Sequence, residues 1–291
     1  MTMTASFKKL LIYSALTCWT VIALFPIYWT FSTTFKVAKD VQLGNIIPWV
    51  QYQPSWLGLR AIGLSPDTIF TDSSPRSEFL LRFVNSIEAS IGGAFVALVI
   101  GSMAAYGLSR FQYNWMIWRN KDISFFFLSQ LILPPVVLAM PFLVLYKELA
   151  LLDSMFGLIL IYALTVLPIV IWIMRDQFDG IPLELEQAAL VDGCSTWGAF
   201  LKIILPIALP GMVAAFILAV ILCWNEYFFA ALLTSTKAKT LPVMVASQTG
   251  SQGISWWSMA AISSAAILPL IIIGIFLERY IIKGLTAGAV K

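Results

Sequence analysis

Long apolar runs without a charged side chain divide the chain: Leu10–Phe35, Ala89–Ser109, Ile123–Tyr146, Ser154–Met174, Ile203–Asn225 and Trp256–Leu277. Each has at least 21 residues. At about 1.5 Å per residue, 21 residues make a helix of about 32 Å, enough to cross a hydrocarbon core of about 30 Å. The pattern predicts an all-α polytopic membrane protein with six transmembrane helices, over about residues 10–34, 84–109, 123–146, 154–175, 203–232 and 256–282. These spans fill residues 1–291 as one domain and leave no room for a separate soluble one.

One long stretch breaks the apolar pattern. Between the fourth and fifth spans, over about residues 176–206, lies Ile181-Pro182-Leu183-Glu184-Leu185-Glu186-Gln187-Ala188-Ala189-Leu190-Val191-Asp192-Gly193-Cys194-Ser195, followed by Trp197, Phe200 and Ile203-Ile204-Leu205-Pro206. Pro182 suits a first helical position. Glu184 and Glu186 then meet the positive end of the helix dipole. Leu185, Ala188 and Ala189 fall at i, i+3, i+4 on one face, expected to be exposed so that a partner can approach closely. Gly193 stops the helix because left-handed dihedrals cost it little. Ser195 caps a second short helix with an apolar face of Trp197, Phe200, Leu201 and Ile204. The prediction is a helix–Gly–helix elbow between membrane spans.

Composition narrows the function. The chain is 60% hydrophobic and 11% charged, and its net charge of +3 is too weak to argue for nucleic acid. It has no histidine, which excludes histidine-based metal sites and catalytic bases. Cys18, Cys194 and Cys223 show no paired spacing, so no zinc site or disulfide framework is indicated. No phosphate-loop motif occurs, and the chain by itself is not expected to hydrolyse ATP or to need a cofactor. An intramembrane enzyme lacks any evident catalytic pair.

The elbow resembles the EAA loop of the permease subunits of binding-protein-dependent ABC importers. The matching residues are Ala188, Ala189, Asp192, Gly193, Ile203, Leu205 and Pro206. The family's glutamate position holds Gln187, while Glu186 lies one residue earlier and about 100° around the helix, so the salt bridge expected at that position is left open. Asn85-Ser86, Ala104-Ala105-Tyr106-Gly107-Leu108-Ser109-Arg110-Phe111, Trp224-Asn225-Glu226-Tyr227 and Thr240-Leu241-Pro242-Val243 are similar to segments of the carbohydrate-uptake branch, near the second permease subunit of maltose-type importers.

The resemblance implies a pore-forming permease subunit with several partners: a second permease chain, two copies of a cytoplasmic ATPase, an extracytoplasmic solute-binding protein, a carbohydrate or polyol, and membrane lipid, with no nucleic acid. It implies that Leu185, Glu186, Gln187, Ala188, Ala189, Asp192, Gly193 and Phe200 couple to the ATPase. The alternatives are an ion-coupled secondary carrier, or ABC import of another small polar solute. Which sugar or polyol is carried is not written in the chain.

Charge places the elbow. Lys8 and Lys9 precede the first span, which suggests a retained, cytoplasmic N-terminus in the inner membrane of a bacterial cell, with the C-terminus on the same side. The first external loop, about 36–82, holds Lys36, Lys39, Arg60, Arg76 and Arg82; only Lys147, Lys237 and Lys239 lie in the other external loops. In that first loop, Pro48, Trp49, Pro54, Trp56 and Pro66 suggest short surface helices, which either touch a delivery protein or pack at the interface.

Within the spans, Gly93, Ala97, Gly101 and Ala105 form a small-residue ridge for helix packing. The third span contains Gln130, and Pro134, Pro135 and Pro141 kink it, so it lines the central path or packs inside protein. Gln130, Asn225 and Glu226 are the candidate path residues; Glu226 faces the path, braces an outer gate, or reaches interfacial water. The last external loop, with Lys237, Lys239 and Gly250-Ser251-Gln252-Gly253, is expected either to face the binding protein or to serve as a simple connection. The basic tail with Lys283 and Lys291 contacts either the ATPase or anionic lipid.

Overall fold

The computed structural model describes residues 5–71, 74–115, 118–250 and 253–289; Ser251, Gln252 and Lys291 lie outside them. In chain order the helices are α1 (Ala5–Thr33), α2 (Ala38–Gln42), α3 (Leu57–Ala61), α4 (Ser74–Arg110), α5 (Asn120–Ser129), α6 (Ala139–Glu148), α7 (Met155–Asp179), α8 (Leu183–Val191), α9 (Thr196–Ala199), α10 (Leu205–Trp224), α11 (Phe228–Leu233), α12 (Leu241–Ala246) and α13 (Trp256–Ala289). Two short antiparallel ribbons pair Asn114–Trp115 with Trp118–Arg119 and Thr249–Gly250 with Gly253–Ile254. The chain is an all-α polytopic membrane protein.

Among the described residues, five helical stretches are long and apolar enough to cross a membrane: Lys8–Thr33, Ser74–Arg110, Met155–Asp179, Thr196–Trp224 and Trp256–Ile275. A bent pair in the third apolar run, Asn120–Ile132 and Pro135–Glu148 meeting at 93°, is apolar enough only when its two halves are taken together. Pro134 and Pro135 cause the break, because neither offers an N–H to continue the ladder. The second span starts at Ser74, earlier than its charge-free run, and carries Arg76, Glu78 and Arg82. Charge is costly in lipid but not in a helix, so the helix continues past the membrane boundary.

The chain forms two compact units. The first comprises residues up to Leu81 together with Met244–Leu268. In it α1 is exposed along its crossing, and the loop after it folds into α2, α3 and a bridge from Pro48 to Tyr52. Lys36 is fully buried there, its Nζ 3.8 Å from the centre of the Trp29 ring and 5.3 Å from that of Tyr52. Burial pushes its pKa down, against the pull of Asp40.

The second unit comprises Arg82–Val243 and the chain from Pro269. Its core runs along α4, α7 and α10, where Ala97, Ala105, Val170, Met174 and Ala219 are fully buried. The small-residue ridge of α4 is the seam: a side chain at Gly93 would strike Tyr162, and one at Gly101 would strike Val170. Helices in lipid gain little from hydrophobic transfer against each other, so close backbone approach supplies their attraction.

Candidate coupling site

The elbow is built as its residues dictate. Pro182 sits at the N-cap of α8, one position ahead of the expected one, and Glu184 and Glu186 occupy the first turn. Gly193 turns the chain with φ +84°, a left-handed value that an L side chain adopts only at a cost of about 1–2 kcal/mol. Cys194 N–H donates to the Ala189 carbonyl at 2.9 Å, closing the helix end. The Ser195 hydroxyl accepts from Gly198 N–H at 3.1 Å and caps α9. A π turn over Phe200–Ile204 then joins α9 to α10.

The inner face of the elbow is clamped to the end of α4. Glu186 is 5% exposed. Its Oε2 accepts from Arg110 Nε at 2.9 Å and its Oε1 from the Tyr106 hydroxyl. Arg110 Nη2 also donates to the Ile181 carbonyl at 3.0 Å. The neighbouring Ser109 hydroxyl donates to Asp179 at the end of α7. Behind the ion pair, the Tyr106 ring lies 4.4 Å from that of Phe200, and Phe178 meets both edge-on. Such ring pairs add about 0.5–1.5 kcal/mol each beyond burial. A buried ion pair holds when its other polar atoms are also hydrogen-bonded, and here each side-chain nitrogen of Arg110 and each oxygen of Glu186 has a partner.

This arrangement corrects the expected shared exposed face. Ala189 is 3% exposed and buried with Glu186, because positions three apart share a face and that face turns inward. Phe200 is buried in the ring cluster. Leu185, Gln187, Ala188, Asp192 and Gly193 are exposed. Gln187 therefore occupies an outward position, while Glu186 makes an intrachain ion pair. The outward side also carries exposed apolar groups: Val191 is 87% exposed, Trp197, whose ring meets Phe200 edge-on, 57% and Leu201 56%; Leu183 and Leu190 are exposed as well. Sequence reasoning named neither Tyr106 nor Arg110 as a partner of the elbow. Only the alternating polar tail of α4, Tyr106 and then Ser109-Arg110, could have hinted at them.

The path candidates are not gathered into one site. Gln130, at the break of the third apolar run, is exposed and donates to the Phe126 carbonyl at 3.3 Å. Asn225 is exposed and donates to the Ile221 carbonyl at 2.8 Å. Each turns back on its own helix. Glu226 accepts from the N–H groups of Phe229 at 2.8 Å and Ala230 at 3.1 Å, satisfying the first turn of α11. Its carboxylate is thus committed to bracing α11.

A second polar cluster holds the loop Ser235–Leu241. Asp153, at φ +53°, accepts from the backbone N–H groups of Ser235, Thr236, Lys237 and Ala238 at 3.0–3.1 Å and from the Thr236 hydroxyl at 2.7 Å. Burial alone would raise the Asp153 carboxyl; the donors from Lys237, Ser235, Thr236 and Ala238 outweigh it and hold it well below the usual carboxylate range. The carbonyls of the same loop are taken from α4. Arg82 donates to Thr236 O, and Asn85 Nδ2 donates to Lys237 O at 2.7 Å and Lys239 O at 2.9 Å. Ser86 Oγ accepts Leu241 N–H at 2.8 Å.

The profile of a family described as the inner membrane component of binding-protein-dependent transport systems matches residues 97–286. Over 275 residues the chain is 34% identical to the trehalose transport system permease protein SugB of Mycobacterium tuberculosis, covering 92% of this chain and 93% of that one. It is 30% identical to the trehalose/maltose transport system permease protein MalG of Thermococcus litoralis, covering 98% and 97%. It is 29% identical to the diacetylchitobiose uptake system permease protein DasC of Streptomyces coelicolor, covering 92% of each. In structure it is similar, with a TM-score of 0.71 and 23% identity over 96% of this chain and 99% of the other, to a chain of a bacterial ABC transporter that imports the acidic polysaccharide alginate.

Proposed function

Because this chain belongs to the family of inner membrane components of binding-protein-dependent transport systems, we propose that it is the pore-forming permease subunit of an ATP-driven importer for a carbohydrate or related polyol. It acts as one permease domain with its termini in the cytoplasm. The pore is completed by a second, different permease chain; two ATPase subunits drive it, and a solute-binding protein delivers the cargo. The sugar reading rests on relatives named for trehalose, maltose and diacetylchitobiose.

The observation that carries the mechanism is the apolar outer side of the elbow. Val191, Trp197 and Leu201 are exposed on a segment that is otherwise the most polar between two spans. An apolar patch rimmed by polar residues marks a protein contact. The occupant is the ATPase. Leu185, Gln187, Ala188, Asp192 and Gly193 meet it, while Glu186, Ala189 and Phe200 hold the elbow rigid from behind. Moving a pore from 1:99 to 99:1 outward-facing takes about 5.5 kcal/mol of differential binding, which nucleotide, acting through this contact, and the loaded receptor on the outer face supply together. Gln130 and Asn225 offer hydroxyl-binding groups along the path. Glu226, whose carboxylate is occupied by Phe229 and Ala230, is the brace of the outer end of the path, and this leaves an ion-coupled carrier without its one candidate acid.

The test uses the assembled complex. Ala188→Trp fills the outer side without entering the core; Gly193→Trp also strains the turn. Both variants are expected in the membrane at wild-type level, with ATPase co-purification lowered at least tenfold or solute uptake uncoupled from hydrolysis. Wild-type uptake and co-purification in both would defeat the reading.

A further inference from the structure

The two polar clusters sit at opposite ends of one helix. Tyr106 and Arg110 hold the elbow at the C-terminal end of α4; Arg82, Asn85 and Ser86 hold the Ser235–Leu241 strap about 38 Å away, at about 1.5 Å per residue over the 25 residues from Asn85 to Arg110. Among the long helices, α1, α7, α10 and α13 carry Pro26, Pro168, Pro210 and Pro269 in their interiors, and the third apolar run is bent by 93°. In α4 the one proline is Pro75, in its first turn. From Asn85 to Arg110 the helix carries no proline and no π turn, and Gly101 of its Gly101-Ser102 pair is packed against Val170. Contact with α7 at Gly93 and Gly101 stiffens it further along its length.

We infer that α4 is a strut tied at both ends: Glu186 ties it to the elbow, Arg82, Asn85 and Ser86 tie it to the strap, and Asp153, just before α7, is the positioning residue that holds the strap in the shape they grip. Displacement of the elbow travels through the Glu186–Arg110 pair into α4 and emerges at the strap that Asp153 closes against the same helix. Asp153 takes the strap's N–H groups while α4 takes its carbonyls, so the strap cannot shift independently of α4 without breaking bonds on one side. Lys237, exposed on the strap, moves with it. This inference rests on the proposed docking of the ATPase at the elbow.

The test places a nitroxide label on Lys237→Cys in the intact complex in nanodiscs, with Cys18, Cys194 and Cys223 replaced by Ala so that no other thiol of this chain reacts, and with a non-hydrolysable ATP analogue as the probe. A separate variant, Asp192→Cys, is cross-linked to the ATPase. In the parent complex the label's spectrum is expected to change on nucleotide binding. In Glu186→Gln and in Asp153→Asn the amplitude of that change is expected to fall at least fivefold. The nucleotide-free spectrum in Glu186→Gln should match the parent, because the strap's own bonds are intact, and this separates lost transmission from local loosening. Should Glu186→Gln fail to assemble, Arg110→Lys takes its place.

Full amplitude in either variant, or no change in the parent, overturns the strut. If Asp192→Cys never cross-links, the docking at the elbow falls first and the strut with it. If it cross-links while the variants respond fully, only the strut falls.

Discussion

At the scale of single residues, position on a helix decides what chemistry alone leaves open. Glu186 and Gln187 are neighbours of similar size, yet one is buried against Arg110 and the other exposed. Lys36 is the sharper case. Its Nζ has no hydrogen-bond partner among the described residues and rests on the Trp29 ring. Burial depresses its pKa, so between that lowered value and the ordinary lysine value the unfolded chain holds more protons than the folded one. Stability therefore rises as pH climbs through that window. Lys36→Met removes the titrating group and should flatten the alkaline rise in thermal stability of the purified complex. It should leave stability at neutral pH unchanged or higher, because an apolar side chain avoids the desolvation cost. A steeper loss at neutral pH with the alkaline slope intact would show that the contact with Trp29 outweighs burial.

Elements depend on how closely they meet. The α4–α7 seam leaves no room at Gly93, where an added Cβ would stand 2.7 Å from Tyr162 Cβ, the root of a side chain that cannot swing away. Gly93→Val should cost about 1–3 kcal/mol by overpacking. In α13, an added Cβ at Gly274 meets nothing within 4 Å among the described residues, so Gly274→Ala should cost nothing and, by helix propensity, stabilise by up to about 1 kcal/mol. Thermal unfolding of the two variants, side by side, checks the contrast; equal losses would remove the seam from the account. The ridge's four-residue interval was legible in the sequence because helical geometry alone makes such positions a stripe. Its partner on α7 was not, since packing across a helix pair depends on rotation and height that periodicity does not encode.

At the scale of the whole molecule, the break in the third apolar run leaves apolar surface open. That run breaks at Pro134, and Ile132, Val136 and Met140 around the break are exposed. Backbone freed by such a break is not tolerated against lipid; it has to face protein or a water-filled path. Val136→Cys carrying a fluorophore should therefore be shielded from spin-labelled lipid in the intact importer and quenched by it when the chain is isolated. Strong quenching in the intact importer would place the break against lipid and contradict a companion permease chain there.

The sequence alone determined the long apolar helices, the polar elbow before α10 and the turn at Gly193. Each follows from local physics: charge is excluded from hydrocarbon, helical periodicity repeats every few residues, and only glycine takes a left-handed turn without strain. The tertiary structure decided which way the elbow faces. That Glu186, Ala189 and Phe200 turn inward, that Arg110 and Tyr106 receive them, and that Asp153 gathers a loop more than 80 positions away are outcomes of long-range burial. A buried charge must find its partner wherever the fold supplies one, and no spacing along the chain records where that is.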